Sequence, residues 1–251
     1  MALYVLGDTH LSLGASKPMD VFPGWNGYVE RLERNWRKLI KPEDTIVLAG
    51  DISWAMRLND TRRDFAFLQE LPGQKLIMKG NHDYWWTTAN KMNAYLKAEG
   101  FDTLAHSAQQ LLLCGGYALC GTRGWLFDVG EPHDEKVMNR EIGRLKMSLD
   151  AAEPGLEKLV FLHYPPVYTG TSAPEIVATL KPTASPAVTT ATCTETPSGT
   201  RCRAMWTASG ISLSVPMACV SAPIASIKGG KCGQKEQKVK IWSGNCVWNV
   251  L

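Results

Sequence analysis

Four short apolar runs, Leu3–Leu6, Thr45–Ala49, Lys75–Met78 and Leu159–Leu162, are each followed by Gly or polar residues and are separated by stretches of helical periodicity. Runs this short and this rich in Val, Ile and Leu suit strands buried on both faces. Helices between them make parallel pairing the natural connection. The alternation confines residues 1–181 to an α/β fold with sheet inside and helices outside. Between the first two runs, Tyr28, Val29, Leu32, Trp36, Leu39 and Ile40 recur at helical spacing with Glu30, Arg31, Arg34 and Arg37 opposite, and Pro42 sits just beyond the end. Residues 61–70, 86–99 and 134–152 read as further helices. More strands are expected from Thr103 to Thr122, where Leu111–Cys114 and Tyr117–Cys120 flank the turn pair Gly115-Gly116. The expected arrangement is two sheets face to face.

With 251 residues, 45% hydrophobic and 20% charged, the chain fits one soluble globular domain. No apolar run approaches the roughly 18 residues of a membrane helix, and no basic leader precedes Ala2. A cytoplasmic protein with no membrane partner is the expectation. The composition breaks near residue 181. All five His, all six Phe and all seven Tyr precede that point, and after it the acids are Glu195 and Glu236 alone. Five of the seven Cys follow the break, with no Cys-x-x-Cys pair and no nearby His, so neither a zinc knuckle nor a disulfide framework is indicated. The tail's Lys are scattered among small residues without interleaved aromatics, which gives no nucleic-acid signature.

The acids and histidines fall where strands end. Asp8 and His10 follow the first run in Gly7-Asp8-Thr9-His10, Asp51 follows the second in Ala49-Gly50-Asp51, and Asn81, His82 and Asp83 follow the third. His163 ends the late run Leu159-Val160-Phe161-Leu162-His163. In an open parallel sheet the carboxyl ends of the strands form one edge, where ligands bind. Carboxylate, amide oxygen and imidazole together suit divalent manganese, iron or zinc. Each fragment alone is common; the ordered set, every member after its own strand, is not.

In these blocks the sequence resembles the calcineurin-like metallophosphoesterase superfamily, whose pattern is Asp-x-His, Gly-Asp, Gly-Asn-His-Asp/Glu, a lone His, and Gly-His-x-His. The first four blocks cover residues 1 to about 181. The resemblance implies a four-layer α/β/β/α sandwich, incomplete at the C-terminus, and two divalent metal ions. It implies that Asp8 and His10 hold one ion, that Asn81 and His163 hold the other, and that Asp51 bridges both. His82 would be the acid or charge stabiliser beside the phosphoryl group, with Asp83 orienting its ring. The implied reaction is hydrolysis of a phosphomonoester or phosphodiester by a hydroxide that the metals activate.

Other residues read less sharply. His106 and His133, in polar context, read as solvent histidines, and Trp85 and Trp86 as packing rather than cleft residues. Arg123, in Gly121-Thr122-Arg123-Gly124-Trp125, is within reach of a phosphate but, as a loop arginine, is expected to meet a surface acid instead. Tyr164-Pro165-Pro166 is expected to fix the turn after His163.

The fifth block is absent, since no His follows His163. A shift of reading frame accounts for this. Thr190–Glu195, read one base out of register, has codons that permit Gly-His-Leu-His-Gly, and Met205, Trp206 and Thr207 regroup to Val-Asp. Residues 182–251 are therefore expected to be an atypical tail, frameshifted near Lys181–Pro182 and unable to complete the sheets well. The rival to the enzyme reading is a crippled remnant or metal-binding module that lacks two ligand histidines.

Overall fold

A computed structural model of the chain describes residues 2–22, 24–106, 112–113, 117–127, 132–168 and 171–180, together with five tail strands whose backbone alone is described. Two compact units emerge, one from Met1–Gln109 with Pro223–Leu251 and one from Gln110–Ala222.

The strands of the first unit are β1 (Leu3–Leu6), β2 (Thr45–Leu48), β3 (Gln74–Ile77) and β4 (Leu104–His106), all parallel. Between them run α1 (Tyr28–Leu39), α2 (Arg62–Glu70) and α3 (Ala89–Glu99), each close to its predicted span. Side chains alternate across a strand, so Tyr4 and Leu6 face one way with Ile46 and Leu48. They form one cluster with Leu32 and Trp36 of α1, Phe65 and Leu68 of α2, and Met92 and Leu96 of α3. The opposite faces, Leu3, Val5, Val47 and Leu76, are buried too, as expected of parallel strands. Lys75 enters this interior with no exposed surface; its Nζ donates to the Leu71 carbonyl and to Thr103 Oγ1, and burial lowers its pKa to about 8.

In the second unit β5 (Leu112–Leu113) pairs antiparallel with β6 (Tyr117–Thr122), the hairpin expected around Gly115-Gly116, whose turn lies outside the described residues. Parallel to β6 runs β7 (Glu157–Leu162). Asp134 caps the long helix α4 (Glu135–Asp150) by accepting the N–H groups of Lys136 and Val137. A short antiparallel pair, β8 (Val167–Tyr168) and β9 (Thr171–Ser172), leads to α5 (Pro174–Leu180). Met138, Leu145 and Leu149 of α4 and Ile176 and Leu180 of α5 pack on Ala118, Cys120, Val160 and Leu162. Both units are thus α/β structures built around parallel strand pairs, the class the alternation predicts.

Five further strands lie in the tail. β10 (Ala187–Thr189), β11 (Cys202–Trp206) and β12 (Ser212–Pro216) extend the second sheet from β7; β13 (Val239–Ser243) and β14 (Cys246–Val250) extend the first from β1. Ladder hydrogen bonds use the backbone and do not require a two-residue apolar alternation. The segment Val239 to Val250, with two Trp, three Val and one Ile across its strands, has the residue types that favour extended chain.

Candidate metal centre

The loops after β1 and β2 keep pairing past the strand ends. Asp8 N–H donates to the Gly50 carbonyl at 3.0 Å, His10 to Asp51 at 2.9 Å and Leu11 to Ile52 at 2.8 Å. Three residues in this stretch have left-handed backbone without being glycine: Asp8 at φ 57°, His10 at φ 43° and Asp51 at φ 53°. Such conformations are uncommon outside Gly and persist only where the surroundings enforce them. Here they turn three donor side chains toward one point. His10 Nε2 lies 3.8 Å from Asp8 Oδ1 and 3.8 Å from Asp51 Oδ2, and the side chains are 7%, 7% and 4% exposed in the order His10, Asp8, Asp51. At 3.8 Å these contacts are too long for hydrogen bonds. Ligands about 2.0–2.2 Å from a shared ion stand roughly 3–4 Å apart, so the spacing fits donors around a divalent cation. A carboxylate oxygen of Asp8 and one of Asp51 lie within 4.8 Å of each other. Two buried carboxylates so close favour a positive charge between them.

The third turn locks against the second. Asp83 is fully buried; its Oδ2 accepts the N–H groups of Asp51 at 2.8 Å and Gly80 at 2.7 Å, and its Oδ1 accepts Ile52 N–H at 2.8 Å and Trp85 Nε1 at 3.1 Å. Burial, with Asp51 nearby, pushes its carboxyl up to about 6, against the downward pull of these donors. The expected hydrogen bond from Asp83 to the His82 ring is not the one formed. The carboxylate is occupied by the two turns, and His82 Nδ1 is buried without a hydrogen-bond partner among the described residues. Gly80 allows the approach: a Cβ there would lie 2.1 Å from Asp51 Oδ1 and 2.2 Å from Asp51 N. His82 is half-buried; its backbone N–H donates to Asp51 Oδ1 at 2.8 Å, and its ring centroid is 5.8 Å from that of His10.

Asp8, His10, Asp51, His82 and Asp83 are thus brought together, and Asn81 lies in the same turn as His82. His163, 2% exposed, follows β7 in the second unit, where Tyr164 N–H donates to the Arg123 carbonyl at 2.8 Å. Several residues carry more than their sequence context indicates. Trp54 stacks on His10 at 4.9 Å between centroids and 19° between planes, and lies 4.7 Å from the His82 ring. Its place three residues after Asp51 was the available signal. Asp64 is buried in α2, where it accepts Leu13 N–H at 2.8 Å and a short bond from Ser53 Oγ; burial raises its pKa. Trp85 is packed, as expected, and also donates to the Ser53 carbonyl at 3.2 Å. His106 is a correction: it closes β4 at 1% exposure, with Nε2 2.8 Å from Asn93 Oδ1, because the strand carries it inward. His133 remains about half exposed, 3.2 Å from Glu175.

Acids and imidazole gathered just past the ends of parallel strands in an α/β fold make this a candidate metal site. The model of the calcineurin-like phosphoesterase family matches residues 1–184, and the chain belongs to that family. No curated protein matches it. Among solved structures it is similar to a protein of unknown function from Aquifex aeolicus, at 22% identity over 68% of this chain and 82% of that one, TM-score 0.40. It is also similar to a phosphopantetheinyl hydrolase from Mycobacterium tuberculosis, at 13% identity over 66% of this chain and 69% of that one, TM-score 0.41. Among the described residues no helix is long and apolar enough to cross a membrane.

Proposed function

We propose that this chain hydrolyses a phosphomonoester or phosphodiester with the help of two divalent ions. The observation that carries the reading is the convergence of Asp8, His10 and Asp51 on left-handed backbone. Asp8, His10 and Asp51 would hold one ion, and Asp51, Asn81 and His163 the other, with manganese, iron and zinc all suited to such donors. Bound ions of this kind lower the pKa of water and neutralise charge on a phosphoryl group. The rest falls to the chain's own side chains. Trp54 holds the His10 ring by stacking. Asp83 fixes the Asp51 and Gly80 turns. His82, half-buried beside them, would give a proton to the departing oxygen, and its buried Nδ1 is without a hydrogen-bond partner among the described residues.

The missing Gly-His-x-His block favours a second reading, a remnant that binds metal weakly and catalyses nothing. Metal content after purification, with turnover of p-nitrophenyl phosphate in added manganese, separates the two. Metal with turnover supports the enzyme; metal without turnover leaves the binding module, and neither leaves the inert remnant.

A further inference from the structure

The second unit carries a cation that the metal-centre reading does not use. β6 and β7 pair in parallel with Thr122 opposite Leu162. The next residue on each is Arg123 and His163, so the two stand side by side at one sheet edge. The bond from Tyr164 N–H to the Arg123 carbonyl continues the pairing past the strand ends.

The Arg123 side chain is 17% exposed and its guanidinium lies over the Trp125 indole, 4.4 Å from the ring centroid. Among the described residues the carboxylate that approaches it is Glu141, 1% exposed, with Oε2 4.0 Å from Nη2. That is beyond hydrogen-bond range. Glu141 is also engaged elsewhere: Oε1 accepts the Thr122 hydroxyl and Gly124 N–H, and Oε2 accepts Arg144 Nη1 at 3.0 Å. Arg144 therefore competes for the oxygen that would otherwise close on Arg123. Arg123 Nε is buried and has no hydrogen-bond partner among the described residues. Burial lowers the guanidinium pKa, but an arginine remains charged at neutral pH. A buried donor left unmade is costly, and an anion with several oxygens relieves that cost through the planar guanidinium fork.

We infer that Arg123 binds the non-bridging oxygens of the substrate's phosphoryl group, with Glu141 and Trp125 as positioning residues that hold the guanidinium at the edge where His163 stands. The inference rests on the phosphoesterase reading and adds to it a residue that recognises the phosphate itself.

The test compares the whole chain with its Arg123→Met and Arg123→Lys variants in manganese, using p-nitrophenyl phosphate as substrate and inorganic phosphate as competing inhibitor. Manganese binding by calorimetry and the thermal melt are followed for each. In Arg123→Met, the inhibition constant for phosphate and KM should both rise at least tenfold with manganese affinity unchanged, and Arg123→Lys should recover part of the loss. Phosphate inhibition within twofold of the original chain, in whichever variant keeps the original melt, overturns the inference while leaving the phosphoesterase reading intact. No turnover by the original chain in manganese instead sinks that reading, and this inference with it.

Discussion

Asp83 accepts the backbone N–H of Asp51 at 2.8 Å, from a residue 32 positions away. With the Gly80 N–H on the same oxygen at 2.7 Å, this one carboxylate holds the Asp51 and Gly80 turns, the proposed carriers of metal ligands, in register. Asp83→Asn preserves shape but replaces one accepting oxygen with a donor aimed at other donors. Loss of a buried, charged acceptor costs about 3 kcal/mol or more. The urea midpoint should fall accordingly and manganese affinity should fall with it; an unchanged midpoint would show that the turns hold without this carboxylate.

Gly80→Ala tests the same junction from the other side. The new methyl would sit 2.1 Å from Asp51 Oδ1, and neither the carboxylate nor the backbone behind it can yield without moving Asp51, the proposed bridging ligand. Overpacking of this kind costs roughly 1–3 kcal/mol. We expect a lowered melting temperature together with loss of metal binding, read by calorimetry. Retained metal affinity would place the bridging role elsewhere.

Lys75 gives a pH dependence of defined sign. Its folded pKa of about 8 lies below the usual 10.5, so between those values the unfolded chain binds more protons than the folded one. Stability therefore rises as pH increases from about 8 to about 10.5, and below pH 8 the full penalty is present. The shift corresponds to roughly 3 kcal/mol. Lys75→Met should remove this rise, which urea unfolding at pH 7.5 and pH 9.5 would reveal as a smaller difference between the two conditions than in the original chain.

A one-base change of reading frame after Lys181 is the remaining test. A gene altered to encode Gly-His-Leu-His-Gly in place of Thr190–Glu195 adds two imidazoles. Loss of outer-shell partners alone lowers metal affinity or activity by about 10–100-fold, so the altered chain should bind manganese at least tenfold more tightly and turn over faster. Equal behaviour of the two proteins would mean that the tail as written supplies what the histidines would.

What the sequence made legible were features carried by local order. Asp8, His10 and Asp51 each follow a short Val- and Leu-rich run, and strand geometry alone sends such residues to one edge. The Asp83 contacts were hidden because a carboxylate's choice between a neighbouring ring and distant backbone N–H groups is settled by packing. His106 was misplaced for a related reason: its polar neighbours outweighed the two strand residues Leu104 and Ala105 before it. Glu141 has a trace in the sequence. It lies on the same helical stripe as Met138, Leu145 and Leu149, and an acid among inward-facing residues announces a buried polar contact. Helix α5 was too short, at Pro174–Leu180, to show a periodicity.

The left-handed backbone at Asp8, His10 and Asp51 sets two demands on the chain against each other. Glycine at any of the three would relax the main chain while deleting a donor, so substitutions that make the protein hardier pull away from those that keep its chemistry.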